Sequence, residues 1–234
     1  MRETPEISVS DYAQARSVAI QDVAMEFTRN AMNDRGTTRM RRVILRLAVV
    51  IDRIGRGRIT ANTVTAAGVG IQALAAGLVA LGHLLPGALL LAVSLPADLL
   101  DGELARLQGR ASARGMLLDA TADRVSEVVL FCGIAYHLTM TGPRGAAVWA
   151  VAACGAALCV SYVKAKGEAA IATREMTHDA LNRIFQMGLA PLTNRKRILI
   201  LGLVVDQLLL ATIAVALLSS ITIGQRWVAI SQRL

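Results

Sequence analysis

Between residues 59 and 97 the chain carries no Asp, Glu, Lys or Arg, a stretch that accommodates two membrane-crossing helices of about 20 residues each. Gly82, His83, Pro86 and Gly87 mark the turn between them. Uncharged runs at 128–143, 145–163 and 207–225 are each close to the span of the hydrocarbon layer and predict three more helices. A shorter apolar stretch, 198–205, stops at Asp206 and crosses only if its helix starts in the polar residues before it. Together these stretches predict six crossings. Upstream, residues 39–57 interleave arginines with Val43, Ile44, Leu47, Val50 and Ile54, the pattern of an amphipathic helix. Such a helix either lies on the inner membrane surface or pads a partner subunit. The first 34 residues are polar and mixed in charge, and no signal-peptide core occurs in the first forty, so the first crossing helix is expected to direct insertion. The expected organisation is an all-α polytopic membrane protein. An N-terminal cytoplasmic segment, 1–58, precedes a transmembrane domain, 59–234.

Composition strengthens the membrane reading, since 54% of residues are hydrophobic and only 3% aromatic. The net charge is +8, which in a membrane chain reflects orientation and anionic headgroups rather than a nucleic-acid partner. Arginines sort by loop: Arg35, Arg39, Arg41, Arg42, Arg46, Arg53, Arg56 and Arg58 precede the first crossing, and Arg106, Arg110 and Arg114 follow the second. The positive-inside rule makes those sides cytoplasmic, together with the Lys- and Arg-rich connection 164–197. Both termini then face the cytoplasm, as expected for a multi-pass protein of the inner membrane. Cys132, Cys154 and Cys159 fall in crossing segments without metal-ligand spacing and read as small core residues. His83, His137 and His178 are scattered and are assigned to no metal.

Charged residues near a crossing helix are costly and therefore point to function. Four acids, Asp98, Asp101, Asp119 and Asp123, sit toward the basic ends of two successive helices. Spacings of three and four residues put each pair on one helical face, and the short loop between lets the pairs converge. Converging carboxylates require cations, and hard oxygen donors suit Mg²⁺, Mn²⁺ or Ca²⁺, two of which can clamp a phosphoryl group. The alternative, interfacial ion pairs with Arg106, Arg110, Arg114 and Arg124, accounts for one acid better than for four. Small residues, Gly102, Ala105 and Gly115, stand where a bulky ligand would need room.

The segment Asp98-Leu-Leu-Asp101-Gly102-Glu-Leu-Ala105-Arg106, eight further residues, and Gly115-Met-Leu-Leu-Asp119-Ala-Thr-Ala-Asp123 resembles the signature of the CDP-alcohol phosphotransferase family at every fixed position. Asn62, Thr65, Gly68 and the stretch Ser161-Tyr162-Val163-Lys164-Ala165-Lys166 extend the resemblance from about residue 55 onward. It implies a six-transmembrane-helix bundle, usually a homodimer, with an N-terminal amphipathic juxtamembrane helix and a site opening to the cytoplasmic interface. The reaction implied is transfer of a phosphatidyl group from CDP-diacylglycerol to an alcohol, with release of CMP. By the same resemblance Asp98, Asp101, Asp119 and Asp123 hold two Mg²⁺ ions, or Mn²⁺ in their place, and Asp123 is also the general base. Asn62, Thr65, Gly102, Ala105, Arg106 and Gly115 match the CDP pocket.

Within the family the chain is most similar to the actinobacterial phosphatidylinositol phosphate synthases, whose acceptor is inositol 1-phosphate. Lys164, Arg197 and Arg226 match the three cations that hold the acceptor phosphate there. The chain departs from that pattern at Lys166, where Arg is usual, and at Leu192-Thr193-Asn194-Arg195-Lys196, which replaces an E-R-P-E run. Arg195 or Lys196 is available to replace the missing Arg; otherwise the acceptor differs, glycerol 3-phosphate and free inositol being the alternatives. Without the resemblance, cytoplasmic anchoring accounts for Lys164, Arg197 and Arg226 equally. Two other classes compete for the aspartates. Intramembrane prenyltransferases space them differently and need more helices, and an acidic-ring ion transporter would place them near the midplane.

Overall fold

The computed structural model describes residues 37–171 and 191–232, with the side chains of 37–41, Asp98 and Ile171 left aside. The polar N-terminal stretch, His178 and most of the expected cytoplasmic connection at 167–194 lie outside those residues. Among the described residues every regular element is a helix. They are α1 (Thr37–Ile54), α2 (Ala61–Ala80), α3 (Leu84–Ser94), α4 (Ala97–Leu107), α5 (Ala113–Thr141), α6 (Ala146–Ile171), α7 (Leu192–Val204) and α8 (Leu208–Ser231).

Among the described residues four helical runs are long and apolar enough to cross a membrane: Ala61–Ala80, Leu84–Leu107, Ala146–Ala170 and Leu208–Ser231. Their outward faces carry Leu74, Leu89, Val151 and Leu217, all more than half exposed, which a lipid surround satisfies and water does not. The chain is a multi-pass membrane protein. α5 is 29 residues long, but Arg114, Asp119, Asp123, Arg124 and Glu127 occupy its first half, leaving an apolar half of roughly 21 Å at 1.5 Å per residue. α7 has 13 residues and does begin in the polar stretch, at Leu192, so Arg195, Lys196 and Arg197 are helical. The expected turn at Gly82 falls between α2 and α3, with Gly82 at φ +84°. A second break follows at Leu95 and Pro96, because Pro96 has no N–H to continue the ladder. The first aspartate pair therefore starts a helix of its own, α4.

Two compact units emerge from the contacts. The first comprises residues up to Gly68 together with Pro96–Ala122. Here α1 lies along α4. Ile44, Ala48 and Asp52 recur at i, i+4 and i+8 on the buried face of α1, while Val43, Leu47, Val50 and Ile54 stay exposed. Asp52 is 4% exposed and accepts a hydrogen bond from Gln108 Nε2 at 3.0 Å; the same amide nitrogen donates to the Ile59 carbonyl at 2.8 Å. One side chain thereby ties α1, the α1–α2 connection and the end of α4.

The second unit comprises Val69–Leu95 and residues from Asp123 onward. α8 packs on α6 and α7, and α3 on α7, around a core rich in alanine: Ala75, Ala76, Ala88, Ala150, Ala153 and Ala157 beside Leu91, Leu130, Ile134, Leu199 and Val215. Small side chains let helices approach where apolar area gives no net drive in lipid. Gly133 carries this furthest, since a Cβ there would sit 2.4 Å from the Ala76 carbonyl oxygen. Gly202 does the same at the α7–α8 turn, where a Cβ would meet that of Ala211 at 2.3 Å.

Candidate active site

A cavity of about 330 Å³ opens in the first unit, within the size range of small-molecule sites. All six residues matched to the CDP pocket, Asn62, Thr65, Gly102, Ala105, Arg106 and Gly115, line it, and so do Asp101 and Asp119. Local geometry explains the convergence. Asp101, Gly102, Ala105 and Arg106 follow helical spacing along one face of α4, and Gly115 and Asp119 lie one turn apart on α5. Asn62 and Thr65 come from the first turns of α2.

Asp101 is 4% exposed. Its Oδ2 accepts a 2.6 Å hydrogen bond from the Thr65 hydroxyl and its Oδ1 a 2.6 Å bond from the Gly102 amide. Both bonds fix the orientation of the carboxylate. Arg106 pairs with Glu103 at 2.8 Å, yet its side chain stays more than half exposed at the cavity wall. A Cβ on Gly102 would meet nothing within 4 Å, so the missing side chain leaves room for a ligand rather than for a neighbouring helix.

Several lining residues were not singled out from sequence: Thr60, Gln108, Arg110, Ser112 and Met116. Ser112 carried a readable signal, a hydroxyl just ahead of a helix. It caps α5 by accepting the Gly115 amide at 3.1 Å, and the helix N-terminus it opens faces the cavity with Arg106 and Arg110.

The donors suit a hard divalent cation: two carboxylates, one of them buried and pre-oriented, on one cavity wall. Among the described residues no three His, Cys, Asp or Glu side chains gather closely enough to hold a metal ion, and the side chain of Asp98, in the first turn of α4, lies outside them. Asp123 follows Asp119 by one turn of α5 and belongs to the second unit. Its carboxylate lies 3.3 Å from Arg124 Nη2.

The three cations matched to an acceptor phosphate stand on three helices of the second unit. Lys164, on α6, is exposed and 3.7 Å from Glu168. Arg197, on α7, is exposed. Arg226, on α8, is buried and donates to the Val160 carbonyl of α6 at 3.0 Å. Arg195 is 1% exposed and lies 2.7 Å from Glu127, and Lys196 beside it is 3% exposed.

Fold and cavity define a helical membrane protein with a cavity of small-molecule size lined by two carboxylates. The sequence model of the CDP-alcohol phosphatidyltransferase family matches residues 58–222, and the chain belongs to that family. It is 34% identical over 123 residues to the phosphatidylinositol phosphate synthase of Cutibacterium acnes, a match covering 51% of this chain and 58% of that enzyme. The archaetidylinositol phosphate synthase of Methanothermobacter thermautotrophicus is 32% identical over 79% of this chain and 88% of its own length. Against the first of these, and similarly against a Corynebacterium glutamicum counterpart, the chain spans little more than half the relative's length. Among solved structures, Mycobacterium tuberculosis phosphatidylinositol phosphate synthase with CDP-DAG bound superposes with a TM-score of 0.68 at 26% identity, covering 81% of this chain and 94% of that one. The same protein in complex with manganese and citrate gives 0.68 at 25% identity, over 80% and 88%.

Proposed function

We propose that this protein transfers the phosphatidyl group of CDP-diacylglycerol to inositol 1-phosphate, releasing CMP. The observation carrying the proposal is the single cavity lined by Asn62, Thr65, Asp101, Gly102, Ala105, Arg106, Gly115 and Asp119. The CDP group enters it, with Gly102 and Gly115 allowing close approach and Arg106, Arg110 and the α5 amide end meeting the diphosphate. Asp98, Asp101, Asp119 and Asp123 are the metal ligands. Two Mg²⁺ ions, or Mn²⁺ as in the solved relative, would supply Lewis-acid polarisation of the diphosphate. Asp123 takes the proton of the acceptor hydroxyl as its oxygen bonds to the lipid-bearing phosphorus and the bond to CMP breaks. Lys164, Arg197 and Arg226 hold the acceptor phosphate.

Inositol phosphate is favoured because the bacterial and archaeal relatives share it in their names while differing in lipid. The acceptor is thus better supported than the tails of the donor. The reading carries a topology with it: α5 and α7 join the four longer runs to make six crossings, α1 lies on the cytoplasmic face of the inner membrane ahead of a domain that starts near residue 59, both termini and the site face the cytoplasm, and two copies form a homodimer. The purified protein in detergent, with Mg²⁺ and CDP-diacylglycerol, is offered inositol 1-phosphate, glycerol 3-phosphate and free inositol in turn. CMP release with inositol 1-phosphate alone is expected. Release with another alcohol keeps the chemistry and removes the acceptor, and no release with any removes the enzyme reading.

A further inference from the structure

The second unit contains an ion chain that the transfer reaction does not require in any obvious way. Glu127, on α5, is 4% exposed and faces two guanidinium groups. Its Oε2 accepts a 2.9 Å bond from Arg124 Nη1, and its Oε1 a 2.8 Å bond from Arg195 Nε on α7. Arg195 Nη2 also lies 2.7 Å from Oε1, a charge contact rather than an aligned hydrogen bond. Arg124 Nη1 donates in addition to the Ser161 hydroxyl of α6, and its Nη2 lies 3.3 Å from Asp123 Oδ2. Charges alternate along the chain Asp123, Arg124, Glu127, Arg195, which joins α5 to α7, and Ser161 of α6 is bonded to it through Arg124.

From this geometry we infer that Glu127 is a positioning residue: together with Arg195 it locks Arg124, and Arg124 in turn holds the carboxylate of Asp123 in the orientation used for metal and acceptor. The inference rests on the role of Asp123 given above. An arginine on a surface helix samples many rotamers, and one anchored through Nη1 by two helices presents Nη2 at a fixed point. Arg195 brings a second positive charge to a carboxylate held away from water, and without Glu127 two arginines would face one another. A structural brace alone would need only the Glu127–Arg195 pair. Contact of Arg124 with both Glu127 and Asp123 is what makes the pair reach the site.

The test compares wild type, Glu127→Gln, and the double variant Glu127→Leu with Arg195→Leu, which removes the pair without leaving an unpaired charge. Thermal midpoint and monodispersity report folding, Mn²⁺ alone is titrated by electron paramagnetic resonance, and kcat and KM are read from CMP release. Removing a group that orients a metal ligand typically changes metal affinity or activity about 10–100-fold. The expected result is a double variant that folds like wild type, binds Mn²⁺ at least about ten-fold more weakly, and loses kcat by a similar factor with donor KM unchanged. Restored Mn²⁺ affinity and kcat in the double variant would overturn the inference and leave the pair as a brace. Unchanged values in Glu127→Gln would also overturn it. If wild type releases no CMP while the Mn²⁺ affinities still fall as expected, the transfer reading is lost and the positioning role stands.

Discussion

Gly102 and Gly133 are one residue type put to opposite uses in the two units. A Cβ on Gly102 would enter open space beside Asp101, whereas on Gly133 it would collide with the Ala76 backbone. The first unit spends its small residues on a cavity and lines it with polar groups. In the second unit small residues bring helices together, and the buried charges neutralise one another. Residues that line the cavity and residues that pack helices are therefore separable by what their substitution damages, binding at Gly102 and folding at Gly133.

The largest effect is expected at the carboxylates. Asp101→Asn keeps the shape of the side chain and removes the charge toward a metal, and CMP release should fall by on the order of 10³-fold, several kcal/mol of transition-state stabilisation. Thermal stability should change little by comparison. Next comes the glycine pair itself. Gly133→Ala forces α2 and α5 apart and should lower stability by about 1–3 kcal/mol in spite of alanine's better helix propensity, as measured by thermal denaturation in detergent. Gly102→Ala should raise stability by about 0.5–1 kcal/mol, because a helical glycine is replaced with no clash, while KM for the donor rises. Thr65→Val deletes the hydroxyl that orients Asp101 and should weaken Mn²⁺ binding about ten-fold in a metal titration. Ser112→Ala removes the α5 cap and should lower stability by about 1 kcal/mol with a modest rise in donor KM.

What could be read from sequence follows from how locally each feature is encoded. Asp101, Gly102, Ala105, Arg106, Gly115 and Asp119 lie on two adjacent helices, so periodicity alone sets their faces, and the cavity gathers them with Asn62 and Thr65. Uncharged runs likewise marked α2, α3, α6 and α8. α5 was harder, because its apolar half continues a charged one and no compositional break marks where the helix starts. The break at Pro96 was passed over inside an uncharged run. Arg195 and Glu127 are separated by 68 residues, and nothing in either neighbourhood announces the other. Gln108 holding Asp52 across 56 residues was invisible for the same reason.

The most direct measurement is equilibrium binding of CDP-diacylglycerol to purified wild type and to Gly102→Leu, each with Mn²⁺ and with EDTA, alongside thermal midpoints. Wild type is expected to bind only with metal present, and the variant to fold normally and bind in neither condition. Undiminished binding by a folded Gly102→Leu variant would contradict the assignment of this cavity to the CDP group.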